Sequence, residues 1–188
     1  MNSPNWYNHI EGIEAINTLG RERTPFLFIL SYNKDKIFVQ RLDALDDGIF
    51  YKMELWRNYR VNKREKSYKF SKSPLDFSQY KKAFDRVIEE IQAGNTYLLN
   101  LTFETAIESD LSLEEIFYYA QAKFKLNYKN QFICFSPERF IEIDGERLST
   151  YPMKGTIEAS LPQASAQILS NPKEMAEHIM IVDLMRND

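Results

Sequence analysis

Lys154 is the residue through which this chain could do covalent chemistry. It stands in Tyr151-Pro152-Met153-Lys154-Gly155-Thr156, where Pro152 fixes φ and Gly155 permits a backbone turn that a side chain would obstruct. Such a turn presents Lys154 and Thr156. If the loop lines a cleft, burial and neighbouring cations would lower the lysine's pKa and free its amine as a nucleophile. In solvent the same residues make an ordinary turn, and the local sequence alone favours that reading, because Pro and Gly mark turns far more often than sites. Glu177 is the second candidate. On a helix it shares a face with Ile181 and Leu184, so its carboxylate would have to leave water for apolar neighbours. The partner it then needs is either an arginine or lysine from elsewhere or a cation such as Mg²⁺, which takes oxygen ligands and keeps waters and substrate groups in its shell. The local reading favours the salt bridge. Asp183 with Arg186 and Asn187 reads as a structural cluster on another face, and His178 as a satisfied core histidine.

The elements that must position these residues follow from periodicity. Asn171-Pro172-Lys173-Glu174 marks a helix start, with Asn at N-cap, Pro at N1 and Glu at N3. The apolar residues from Met175 to Met185 cover nearly the whole circumference, which suits a helix in a protein interior. Asp76 to Ala93 is the clearest helix, with Phe77, Tyr80, Phe84, Val87, Ile88 and Ile91 on one stripe, a capping box at Asp76 and Gln79, and Gly94 as the stop. That stripe must dock on something apolar. Tyr97 to Phe103 reads as a largely buried strand containing Asn100. Ser112-Leu113-Glu114-Glu115 is a capping box opening a helix to about Lys123. Gln131–Phe135 and Arg139–Ile143 read as strands, the second turning at Asp144-Gly145 into Arg147–Tyr151.

Nearer the start, a helix spans Trp6 to about Leu19 and stops at Gly20. Pro25–Leu30 and Lys36–Leu42 form a hairpin, and Gly48–Leu55 adds a strand. Residues 58–73 are basic, polar and without a period, which describes a solvated connector. The fold class expected is α+β, antiparallel sheets with flanking helices. Two regions are expected: residues 1–73, an N-terminal subregion ending in the basic connector, and residues 74–188.

Composition excludes several functions. The 188 residues are 44% hydrophobic and 27% charged, ordinary for a globular chain. Asp and Glu number 27 against 24 Lys and Arg, a formal charge of -3, which gives no field to gather phosphates, so nucleic acid is not expected as a partner. No run of eighteen apolar residues and no export signal is seen, so neither is a membrane. The single cysteine, Cys134, lies in Phe132-Ile133-Cys134-Phe135 and reads as a small buried hydrophobe in a cytoplasmic protein.

Several stretches resemble, in order, the chorismate-utilising enzymes: Gly94-Asn95-Thr96-Tyr97-Leu98-Leu99-Asn100-Leu101, Ser136-Pro137-Glu138-Arg139-Phe140, Pro152-Met153-Lys154-Gly155-Thr156, and Ala176 through Asp188. The resemblance runs from about Asp76 to Asp188, which makes residues 74–188 the first half of a chorismate-binding domain. In the family the third stretch carries alanine in the anthranilate synthases and lysine in the aminodeoxychorismate synthases, so Lys154 points to the second branch. The resemblance then implies a catalytic Lys154 that attacks C2 of chorismate, Gly155 and Thr156 against the substrate, and Glu177 as a ligand of Mg²⁺. It also implies a glutaminase partner that supplies ammonia, and a role in para-aminobenzoate and folate synthesis. Leu98 stands where many relatives carry Gln and where water-activating members carry Lys, which counts against water as nucleophile. The Leu-Leu-Glu-Ser element through which many relatives bind tryptophan is not found. Because the family's motifs continue past Asp188, the chain alone is expected to be inactive. The alternatives are another chorismate enzyme, chiefly an anthranilate synthase, and a noncatalytic protein that binds the glutaminase.

Overall fold

The computed structural model describes residues 5–60, 66–152 and 156–187. Strand β1 (Trp6–Asn8), helix α1 (His9–Arg21) and strands β2 (Phe26–Leu30) and β3 (Lys36–Arg41) open the chain. Both β1 and β2 pair antiparallel with β3, which is therefore the central strand of the first sheet. The expected hairpin is present, with Ser31 Oγ donating to Asp35 at its turn (2.7 Å). A 3-10 turn (Leu42–Ala44) leads to β4 (Ile49–Met53) and β5 (Trp56–Arg57). These join β8 (Phe124–Tyr128) and β9 (Phe132–Ser136) in a four-stranded antiparallel sheet of order β5-β4-β8-β9, which unites strands from before and after residue 73.

Between those halves lie β6 (Phe70–Ser73), α2 (Phe77–Gln92), β7 (Ala106–Ser109) and α3 (Leu113–Tyr119). The chain continues with the β10 (Glu142–Asp144) and β11 (Arg147–Ser149) hairpin, then α4 (Ala164–Ser170) and α5 (Pro172–Asn187). Every pairing is antiparallel and the helices lie outside the sheets, so the α+β expectation holds. No helix among the described residues is long and apolar enough to cross a membrane.

The core sits where the first two sheets meet. Leu27, Phe38, Ile49, Leu126 and Tyr128 are buried together, with Trp6, Ile29 and Phe132 packed against them. Trp6 Nε1 donates to the Tyr128 hydroxyl at 2.7 Å, so the two amphipathic rings satisfy their polar ends inside the apolar cluster. A second nucleus forms around Phe117 of α3, against which Tyr59 and Tyr118 pack edge-on.

Several local expectations need correction. Gly20 does not end α1; the helix runs on to Arg21, and Arg23 rather than a glycine takes the left-handed conformation (φ 53°). Gly94 does stop α2 in that conformation (φ 77°), but the Asp76 cap accepts from Ser78. The Ser112 capping box forms in full, while α3 ends at Tyr119, short of Lys123. Part of the supposed connector is strand β6, paired with β7. Residues 97–103 join no sheet, and Asn100 is exposed. A strand needs a neighbour for its N–H and C=O groups, and none among the described residues is offered to this run. Cys134 is exposed on β9 rather than buried.

Candidate active site

The loop that contains Lys154 is held at both ends. At its start, Tyr151 donates its hydroxyl to Glu142 of β10 (2.8 Å), and the Arg139 guanidinium lies 5.6 Å from the Tyr151 ring centre. Arg139 forms ion pairs with both Glu142 and Glu54. The Tyr151 hydrogen bond and then Arg139 hold the Glu142 carboxyl below its ordinary range, and the same carboxylate raises the Tyr151 phenol. Thr150 Oγ1 donates to the Phe140 carbonyl (2.9 Å), so residues 139–142 and 150–151 form one clamp. The clamp borders a cleft of about 680 Å³ whose walls include Met53, Trp56, Phe124, Arg139 and Phe140.

At its other end, Thr156 donates its backbone N–H to Glu174 Oε2 at 3.1 Å. Glu174 belongs to the first turn of α5, where Asn171 Oδ1 accepts from the N–H groups of Lys173 (3.0 Å) and Glu174 (3.3 Å). The helix start is therefore as the sequence indicates, but the Glu174 carboxylate leaves the cap to hold the loop. The Asn171 N–H goes instead to the Ile168 carbonyl (3.3 Å). One turn further on, Glu177 projects near the same lysine: Lys173 Nζ is 3.7 Å from Glu174 and 3.8 Å from Glu177. Lys173 is 77% exposed, and such long surface pairs are worth about 0–1 kcal/mol.

The structure thus brings Thr156 to the helix that bears Glu177. Lys154 and Gly155 lie outside the described residues. Glu177 keeps 45% of its side chain in solvent instead of being withdrawn among apolar neighbours. The wider expectation of a fully interior helix fails for the same reason, since Ile179 is 60% exposed while, among the described residues, α4 packs against α5. Asp183 and Arg186 do pair, at 2.6 Å.

Sequence reading missed Glu174 as a loop anchor and missed the Arg139–Glu142–Tyr151 clamp. Glu174 was hidden by its cap position; the clamp residues carried no periodic signal, because only the hairpin fold brings them together. A separate cleft of about 480 Å³ between α1 and β3 contains none of the expected site residues.

Residues 27–188 match the family of chorismate binding enzymes. The chain belongs to that family. The match begins well before residue 76, where the motif resemblance began, and so includes nearly all of the first two sheets except β1. An uncharacterized PabA-like protein of Haemophilus influenzae is 46% identical over 94% of this chain and 54% of its own length. A PabA-like protein of Pasteurella multocida is 40% identical over 94% and 55%. The chain therefore spans about half the length of these curated relatives. Aminodeoxychorismate synthase component 1 of Salmonella typhimurium is 35% identical over 58% of the chain and 27% of its own length. Anthranilate synthase component 1 of Archaeoglobus fulgidus is 32% identical over 58% and 29%. No solved structure gives a significant match.

Among the described residues no group of three or more His, Cys, Asp or Glu is placed to hold a metal. Mg²⁺, however, is commonly bound through one or two protein carboxylates, with waters and substrate oxygens completing six positions. A half-exposed Glu177 whose lysine neighbour is 3.8 Å away fits that partial role, whereas Glu174 is already engaged by the Thr156 amide.

Proposed function

We propose that this chain forms the lysine-bearing part of an enzyme that aminates chorismate at C4, giving 4-amino-4-deoxychorismate on the route to para-aminobenzoate and folate. The observation that carries the reading is Lys154 itself, at the third position of Pro152-Met153-Lys154-Gly155-Thr156. The Salmonella relative's name agrees with it.

In this reading the neutral Lys154 amine attacks C2, both ring double bonds shift by one position toward C4, and the C4–O bond breaks, the hydroxyl leaving as water with a proton while the new ammonium at C2 gives one up. Ammonia then adds at C4 and loses a proton, both double bonds return, and the C2–N bond to lysine breaks as the lysine nitrogen takes a proton. Two successive allylic displacements put nitrogen para to the ring carboxylate, as the lysine's occupation of C2 requires. Thr156, with its N–H committed to Glu174, keeps its hydroxyl for the substrate. Glu177 would hold Mg²⁺, which when bound would neutralise the ring carboxylate. A glutaminase subunit would supply the ammonia.

The Archaeoglobus relative supports a second reading, ortho amination to anthranilate. The two separate on the product. With chorismate, ammonia and Mg²⁺, and with the remaining portion of the domain supplied, aminodeoxychorismate is expected together with a Lys154 adduct seen by mass spectrometry. Lys154→Ala should lower its formation by about 10²-fold or more. Anthranilate from the unaltered protein would overturn the reading.

A further inference from the structure

Strand β2 is an edge without a guard. In the first sheet β3 lies on one side of it, and no strand among the described residues pairs on the other. Ser31 donates its N–H to the Lys36 carbonyl (3.0 Å), and the Pro25 carbonyl accepts from the Leu42 N–H (2.9 Å). Between these bonds the register runs unbroken from Phe26↔Arg41 to Leu30↔Ile37. Because backbone groups alternate in direction along an antiparallel strand, residues 25, 27, 29 and 31 bond toward β3, and Phe26, Phe28 and Leu30 turn their N–H and C=O groups to the open edge. Edge strands are ordinarily blunted by a lysine, a proline or a bulge. Phe26-Leu27-Phe28-Ile29-Leu30 contains none of these.

The side chains of Phe26, Phe28 and Leu30 also share one face of the sheet. Phe28 and Leu30 stand opposite Val39 and Ile37, and Ile37 meets Gly12 of α1, so this is the face on which α1 lies. Helix α1 packs on β1 and β3 and leaves Phe28 53% and Leu30 46% exposed, with the Phe26 ring 6.2 Å from that of Phe28. The open backbone groups and the open apolar stripe therefore belong to the same residues.

We propose that β2 pairs antiparallel with β2 of a second copy of this chain, about a two-fold axis at Phe28. In that register Phe28 faces Phe28 of the other copy and Phe26 faces Leu30, and every such pair exchanges N–H···O=C bonds, because all of these groups point to the edge. The contact is isologous, so the same stripe serves both copies, and aromatic and aliphatic cross-strand pairs extend it over the junction. Counted on past the strand, the register sets Glu22 against Lys34 and Arg21 against Asp35 of the other copy, opposite charges in each case. The product is one continuous sheet with β2 pairs at its centre. Nothing in this inference rests on the lysine chemistry, so it is tested without any assay of turnover.

Sedimentation of the 188-residue chain from roughly 1 μM to 1 mM should show a monomer–dimer equilibrium. As dimer forms, residue-resolved amide exchange should slow at Phe26, Phe28 and Leu30 and stay unchanged at Leu27 and Ile29, whose amides already bond toward β3. Phe28→Lys sets two ammonium groups side by side on the axis and should weaken dimerisation by roughly 30-fold or more. Ile143→Lys, at an exposed position of β10, should leave it unchanged. A second measurement fixes the register should Phe28→Lys fail to fold. With Cys134 replaced by Ser, Phe28→Cys should form a disulfide between copies, since directly opposed Cα atoms in a bonded pair lie about 5.5 Å apart. Leu30→Cys should not, because four residues of offset put its copy roughly 13 Å away. A monomer at every concentration, a dimer without new protection at Phe26, Phe28 and Leu30, or Leu30→Cys cross-linking as readily as Phe28→Cys would each overturn the inference. So would a monomer in which those amides are already protected, since another part of the molecule would then occupy the edge.

Discussion

Lys125 carries its charge into near-complete burial because two helix-end carbonyls and two rings receive it. Only 5% exposed, its amine donates to Phe117 O (2.6 Å) and Ala120 O (3.0 Å). The Phe117 and Tyr59 ring centres lie 4.6 and 5.3 Å away. Burial first, and the neighbouring Lys52 charge second, push its pKa below the ordinary 10.5. The native chain then holds this proton less tightly than the unfolded chain. Between the lowered native value and 10.5 the unfolded state binds more protons, so this group makes stability rise with pH. Tyr59 and Tyr118, both raised from 10.0 by burial, act oppositely as the unfolded phenols begin to ionise. The contrast is therefore best read as pH rises toward, but stays below, the 10.0 of the free phenol, where the urea midpoint of the unaltered chain should climb relative to Lys125→Met. Parallel curves would contradict it. At neutral pH Lys125→Met should cost about 1–3 kcal/mol, because two carbonyls at the end of α3 lose their donor. At the loop, Glu174→Ala removes the acceptor for the Thr156 N–H. Hydrogen exchange at Thr156 should then accelerate about tenfold or more, since bonds to charged acceptors are worth about 1.5–3 kcal/mol. Glu174→Gln, which keeps a carbonyl oxygen, should restore much of the protection.

Helix α1 meets β3 through Gly12, where an added Cβ would lie 2.6 Å from Ile37 Cβ. Replacing a helix glycine with alanine ordinarily gains about 1 kcal/mol. Here the overlap decides the sign, because Ile37 sits on a strand paired on both sides and cannot retreat. Gly12→Ala should lower stability by about 1–3 kcal/mol in urea titration, and a higher midpoint would mean that α1 lifts away freely. Elements with self-contained signals were legible beforehand: the α2 stripe with Gly94, the Ser112 capping box, the Asn171-Pro172 start and the first hairpin. Strand β8 was not, although it is central to its sheet. Lys125 and Asn127 interrupt its apolar pattern, and their justification is tertiary: Asn127 is fully buried and bonds the Asn130 backbone and side chain (3.0 and 3.1 Å). The β8–β9 turn was equally hidden, because Lys129 and Asn130 take left-handed conformations without a glycine to announce them. Lys154, Thr156 and Glu177 are expected at the site from an ordered motif, and of these Thr156 and Glu177 lie among the described residues. Glu174 could not be picked out in this way, and although Arg139 and Tyr151 stand in stretches named from the sequence, their meeting with Glu142 could not be read there, because only the fold brings the three together. Residues 97–103 show the converse, a local strand pattern for which no neighbour among the described residues completes a ladder.

The buried apolar residues among those described run from Leu27 to Tyr128, so none belongs to β10, β11, α4 or α5. Cooperative stability should follow the same division, since elements with few buried contacts open at low cost. A chain shortened to end at Tyr151 removes α4, α5 and the expected site residues. It should nevertheless unfold in urea within about 1 kcal/mol of the full 188 residues, the scale of changes that leave a core intact. A larger loss would show that α5 already supports the sheets. If stability is retained, anchoring and chemistry are divided along the chain. The first two sheets supply a rigid base, the clamp at Tyr151 fixes where the loop leaves it, and Glu174 fixes where it returns. What the base does not supply is enclosure: Glu177 stays half in water, and an amine nucleophile gains its lowered pKa only when water is removed or other cations are brought close. Covering α5 would therefore change the chemistry of the loop while adding little to the base beneath it.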